Sequence, residues 1–364
     1  MNSDPSAPNL ASREPGARFQ RRGAAGFVFL DRPKALNALT LATVRAIAEA
    51  LDSFERDERV ARVVVASAGG RAFCAGADIR LIYRQGRQGD HAAQLAFWRE
   101  EYQLNRRIKR YSKPYVALID GIVMGGGVGL CAHGSHRVAS ERCVFAMPEV
   151  GIGFFPDVGA TFVLPRLAHR IGVYFAATGL RAETGDVVAL GLAQSFVASA
   201  SLGALARALE EGGSVDEIVA RFAAPPPPIE IMAEAASIES WFARLDRQAI
   251  LDALASSAER GSPFARSALA AMREKSPTSQ AIALRQMALG AGLSFEQAMR
   301  LEFRIASRIC RGHDFYEGVR ATIIDKDRSP RWRPGPDEAL EEGAIAAYFA
   351  PLEGEELTFP EAPR

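Results

Sequence analysis

A segment that reads as a β-strand, PYVALIDG from Pro114, runs straight into the glycine-rich stretch GIVMGGGVGL, and this junction constrains the chain most. Gly125, Gly126, Gly127 and Gly129 carry no side chain, so a ligand can approach their backbone N–H groups, and a helix N-terminus would aim more of them. Two further strand-like segments, GFVFLDRP from Gly26 and VARVVVASAGG from Val60, precede it. Between them, TLATVRAIAEALDSFER places Leu41, Val44, Ile47, Leu51 and Phe54 at helical spacing behind Thr40, a good N-cap. Residues 91–110 form another helical pattern. Strands alternating with helices predict an α/β core.

A second loop, AFCAGADIR from Ala72, falls where the carboxyl end of the VARVVVASAGG strand is expected. Two donors from different loops are what a tetrahedral oxyanion receives, which makes the N–H groups of Ala77 and Gly126 the candidate pair. Tight backbone packing explains the glycines alone equally well. Nucleotide binding is excluded by spacing: no GK[ST] ending is present, and Leu130 and Ala132 stand where a GxGxxG pattern needs its third glycine.

Three acids stand out. Glu149 follows Pro148 and precedes an apolar run, the setting in which a carboxylate's proton affinity is tuned for catalysis. Asp157, between Pro156 and Val158, either joins that site or caps a helix formed by GATFVLPRL. Glu101 falls inside a helical stripe defined by Phe97, Leu104 and Ile108, where an apolar residue is expected, while Glu100 points elsewhere. A carboxylate on a buried stripe is either a binding-site acid or half of an ion pair. His133 and His136 lack a third ligand of suitable spacing, so no metal site is expected, and Ser135 lies in HGSHR, which is not a nucleophile elbow.

Composition narrows the class. A formal net charge of +1 over 364 residues carries no nucleic-acid footprint, and 48% hydrophobic with 24% charged residues is ordinary globular usage. Four cysteines without CxxC pairing predict buried thiols. No apolar run approaches the roughly 20 residues of a membrane helix. Residues 1–18 carry both charge signs and no apolar signal region, which predicts a disordered tail and a cytoplasmic protein. The run AAPPPPI from Ala223 marks a stiff boundary between residues 19–222 and a mostly helical region, residues 223–364. In that region Ser294 and Gln297 have capping-box spacing.

DRPKALNAL from Asp31, AFCAGADIR and the glycine cluster resemble the crotonase (enoyl-CoA hydratase/isomerase) superfamily. Within it, MPEVGIGFFPDVGATFVLPRL from Met147, SPTSQAIALRQM from Ser276 and DFYEGVRATIIDKDRSPRW from Asp314 are similar to the 3-hydroxyisobutyryl-CoA hydrolase branch. The resemblance implies a ClpP/crotonase-like core of repeated ββα units followed by C-terminal helices. It implies an acyl-CoA thioester substrate, no cofactor other than the coenzyme A of that substrate, and a homo-oligomer as one option. It also implies catalytic roles for Glu149, Asp157, Gly126 and Ala77, with substrate contacts at Glu101, Gly125, Ala75, Asp78 and Ile79. Hydratases of the superfamily carry a second catalytic glutamate two residues after the glycine triplet, where this chain has Gly129. Its absence favours thioester hydrolysis over hydration.

Overall fold

The computed structural model describes residues 13–14, 16–336 and 338–359. A seven-stranded sheet has the order β1 (Arg13–Glu14), β2 (Ala17–Arg22), β3 (Ala25–Leu30), β4 (Arg62–Ser67), β6 (Tyr115–Ile119), β8 (His136–Ala139) and β11 (Ser195–Phe196). A four-stranded sheet has the order β10 (Arg181–Glu183), β9 (Val144–Ala146), β7 (Ile122–Met124) and β5 (Ala72–Cys74). In the large sheet β1, β2 and β3 pair antiparallel, and from β3 to β11 every pairing is parallel.

The successive pairs β4/β5, β6/β7 and β8/β9 each contribute one strand to either sheet before the chain turns into helix. This is the repeated ββα unit that the resemblance implies. The continuous apolar run of β4, Val63 to Val65, is buried, as a parallel strand covered on both faces must be. Helix α1 (Leu41–Arg56) starts at Thr40, whose hydroxyl accepts from Thr43 N at 3.2 Å, and it buries Val44, Ile47, Leu51 and Phe54. Helices α2 (Ile79–Arg87) and α3 (His91–Lys109) follow β5, and the short α4 (Gly126–Cys131) follows β7.

The structure corrects two expectations. The strand from Pro114 does not run straight into the glycine cluster: Gly121, at φ +102°, ends β6 and redirects the chain into β7 of the other sheet. A side chain at Gly121 would run into the Arg71 carbonyl, so only glycine fits the turn. The tail expected over residues 1–18 is also too long, because β2 begins at Ala17, with Ala17 and Phe19 buried and Arg18 and Gln20 exposed. Two apolar residues among arginines are too weak a signal alone; pairing along the full length of β3 supplies the order. Residues 1–12 and 15 of that expected tail lie outside the described residues.

After residue 223 the described secondary structure is helical. The helices Pro277–Gly290, Phe295–Ile309 and His313–Val319 bury Ile282, Met287, Phe303, Ile305, Phe315 and Val319 in the same core as Phe73, Leu104 and Phe155. Ser294 and Gln297 form the expected capping box. All four cysteines are buried and free. Among the described residues, no helix is long and apolar enough to cross a membrane.

Candidate active site

The site forms where β5 and β7 end side by side. Cys74 is in register with Val123 of the parallel neighbour, and each strand then breaks into a loop that leads to a helix. A Cβ added to Gly126 would stand 3.5 Å from Ala77 N, and one added to Gly76 would stand 3.5 Å from Gly126 N, so the two loops bring their N–H groups together. The neighbouring amides are committed: Ala75 N donates to Leu36 O at 3.0 Å and Asp78 N to Leu39 O at 2.8 Å. Gly125 takes φ +49° at the start of α4, and a Cβ there would lie 2.9 Å from Glu149 Oε1.

Helix α4 presents a bare face to α3. Gly126 and Gly129, three apart, lie on one side, and Glu101 and Asn105, four apart on α3, meet them. A side chain on Gly126 would collide with Glu101 Oε1; one on Gly129 would stand 2.6 Å from Asn105 Nδ2 and 2.8 Å from Val158 Cβ. Gly127 faces the other way, against the Cys74 carbonyl. The glycines therefore let polar side chains of α3 reach the strand ends.

Around them gather four buried carboxyl groups, Glu101, Glu149, Asp157 and Glu302. Burial, then the neighbouring Asp157 and Glu149, raise the Glu101 carboxyl well above its ordinary range. Burial and Asp157 do the same to Glu149. Asp157 is pushed up to about 7 by burial, against the Tyr102 hydroxyl that donates to its Oδ2 at 2.8 Å. Glu302 is pushed up to about 8 by burial and Asp157, although Gly159 N and Thr161 N donate to its two oxygens at 2.8 and 2.9 Å. Glu101 Oε1 and Glu149 Oε2 have no hydrogen-bond partner among the described residues. Buried, under-satisfied acids facing paired amides are equipped to bind a polar group, and their raised proton affinity suits them to proton exchange.

The turn carrying Asp157 is held from several helices. Val158 adopts φ +53°, which is strained for a β-branched residue, and His133 Nε2 bonds its carbonyl at 2.7 Å. Burial lowers His133 to about 4, so the ring is neutral and donates from Nε2. Gln286 Nε2 donates to Pro156 O at 2.5 Å and to Thr161 Oγ1 at 2.6 Å.

Of the residues expected from sequence, Ala77, Gly125, Gly126, Glu101, Glu149 and Asp157 meet in this region. Glu101 makes no ion pair among the described residues; Glu100, beside it, points outward to Arg45 at 2.6 Å. The side chain of Asp157 does not cap the following helix; that task falls to Glu302. Ala75 and Asp78 are engaged structurally, Asp78 as the N-cap of α2 and partner of Arg32 at 3.1 Å. Ile79 begins α2 half-buried. Sequence reading missed Tyr102, Asn105 and Glu302. Glu302 was within reach, because it sits between Phe295, Ala298, Met299, Ile305 and Ala306 on the buried face of its helix, the same pattern that singles out Glu101.

The family model described as enoyl-CoA hydratase/isomerase matches residues 25–349. The chain belongs to that family. It is 42% identical over 359 residues to the mitochondrial 3-hydroxyisobutyryl-CoA hydrolase of Xenopus laevis, covering 96% of this chain and 92% of that protein. Among solved structures, a carnitinyl-CoA dehydratase from Mycobacterium thermoresistibile superposes with a TM-score of 0.89 at 37% identity, covering 94% of this chain and 98% of the other. An enoyl-CoA hydratase from Rhodobacter sphaeroides gives 0.88 at 40% identity, covering 94% and 100%. These relatives correct the expected cytoplasmic location: the similar hydrolases of Xenopus laevis, rat and human are named mitochondrial. A fold and its composition carry no compartment address, so the cytoplasmic default had nothing structural behind it.

Proposed function

We propose that this chain hydrolyses a short 3-hydroxyacyl-CoA thioester, 3-hydroxyisobutyryl-CoA, to 3-hydroxyisobutyrate and coenzyme A, a step of valine breakdown. The observation that carries the reading is the filled space beside Gly129. A glutamate stem there would strike Asn105 and Val158, so the second hydratase acid has neither residue nor room, while Glu149 and Asp157 are both in place. The sequence relatives with the hydrolase name support the same choice.

In this reading the thioester carbonyl oxygen accepts from Ala77 N–H and Gly126 N–H, where negative charge grows in the tetrahedral intermediate. Glu149 works on the attacking side. Its raised proton affinity makes its carboxylate, when ionised, a stronger base than that of an ordinary glutamate. Collapse of the intermediate expels the coenzyme A thiolate, whose acidity resembles a cysteine of pKa about 8.5, so a strong general acid is not needed. Asp157, held by Tyr102, orients the acyl group or the water. We assign no resident cofactor: coenzyme A enters and leaves with the substrate.

The solved structures named dehydratase and hydratase supply a second reading, hydration through Glu149 alone. Purified protein incubated with 3-hydroxyisobutyryl-CoA and a thiol reagent distinguishes the two. Hydrolysis releases free thiol; absence of thiol together with hydration of crotonyl-CoA supports the second reading.

A further inference from the structure

Two buried asparagines of this chain differ sharply in how their amides are used. Asn37 is fully engaged: its Nδ2 donates to Ser67 Oγ, Ala72 O and Phe73 O at 2.9 to 3.0 Å, and its Oδ1 accepts from Arg32 N at 2.8 Å. Asn105 is 0% exposed, and neither its Nδ2 nor its Oδ1 has a hydrogen-bond partner among the described residues. An unmet buried donor or acceptor is costly, and Asn105 carries one of each. A core asparagine kept for stability would resemble Asn37.

The position of Asn105 says what meets the amide. It lies one helical turn beyond Glu101, on the face of α3 that looks onto the bare side of α4. Its Nδ2 and Cγ stand 2.6 and 3.1 Å from where a Cβ of Gly129 would be, and Val158, next to Asp157, closes the other side. The amide thus lies one turn along α4 from Gly126, beside the residue that follows Asp157.

We propose that Asn105 is a substrate-binding residue that recognises the hydroxyl of the acyl group. A hydroxyl offers one donor and two acceptors, so it can give its proton to Oδ1 and accept one from Nδ2. An acyl chain without a hydroxyl leaves both ends of the amide unmet, and sites built on such a pair discriminate strongly against the analogue that lacks it. The same amide leaves no room for a side chain at position 129, since a Cβ there would stand 2.6 Å from Nδ2.

This inference rests on the hydrolase reading, and its test keeps the two apart. kcat/KM is measured for 3-hydroxyisobutyryl-CoA and for isobutyryl-CoA, which lacks the hydroxyl, in the wild type and in Asn105→Leu, with Asn105→Ala as the alternative should leucine prevent folding. The wild type prefers the hydroxylated thioester, and the variant loses that preference by about 10- to 100-fold, through a fall on the hydroxylated substrate alone. Thermal stability of Asn105→Leu stays level or rises, because two unmet polar atoms are removed. Equal falls on both substrates, or none on either, overturn the assignment and leave the hydrolase reading standing. Thiol release from neither substrate by the wild type overturns both.

Discussion

Helix α3 and the helix Phe295–Ile309 pack against each other, and each carries one glutamate on its buried apolar face. Glu101 and Glu302 are equally hidden, at 2% and 0% exposure, yet the surroundings treat them in opposite ways. Glu302 is closed off by two backbone N–H groups and caps the turn that presents Asp157. Glu101 keeps Oε1 unpartnered beside the bare glycines of α4. Burial alone therefore does not mark a binding residue. Unmet hydrogen-bonding capacity beside the bare glycines of α4 is what sets Glu101 apart, because a ligand arriving at the paired N–H groups can offset its cost.

The largest effect lies on the open side. Glu149→Gln is expected to lower kcat by about 100- to 10,000-fold while acyl-CoA binding, followed by calorimetry, is retained. Full activity would remove Glu149 from the chemistry.

On the closed side, Glu302→Ala leaves the Gly159 and Thr161 N–H groups buried without acceptors. A loss of about 1–3 kcal/mol of stability for each is expected in denaturant unfolding. Glu101→Ala should move the other way, raising stability by about 1–3 kcal/mol as an uncompensated buried carboxyl disappears, and raising KM. If both variants shift stability in the same direction, the contrast between the two acids is wrong.

The pH dependence of stability sharpens the same contrast. Asp157 and Glu302 titrate at about 7 and about 8, above the ordinary carboxylate range, so the folded state binds their protons more tightly than the unfolded chain. The stabilisation is complete below about pH 4, where both states are protonated, and is lost as pH rises through those values. Tm of the wild type is expected to fall from pH 5 to pH 8, and Glu302→Gln should flatten the upper part of that slope. The smallest effect is that of Glu100→Ala: its pair with the solvent-exposed Arg45 is screened by water, so the unfolding midpoint is expected to move little.

Much of this was legible in the sequence wherever a signal was local. The Thr40 cap, the stripe of α1, the capping box at Ser294 and the glycines after Met124 follow from neighbours within one or two turns. Glu101 was visible because it interrupts a stripe. What stayed hidden depends on distant pairing. β7 and β9 have three residues each, too short to show a period, and only the second sheet makes them strands. The clamp on Asp157 joins Tyr102, His133, Gln286 and Glu302, which no spacing along the chain relates. Asn105 looked like one polar residue among several on α3 until the empty face of α4 gave its amide a setting.

The central claim is that a family fold shared with hydratases here cleaves a thioester. One incubation with both 3-hydroxyisobutyryl-CoA and crotonyl-CoA, followed by mass analysis of the products, tests it directly. The account predicts 3-hydroxyisobutyrate and free coenzyme A, with crotonyl-CoA left unhydrated; 3-hydroxybutyryl-CoA formed without release of coenzyme A would contradict it.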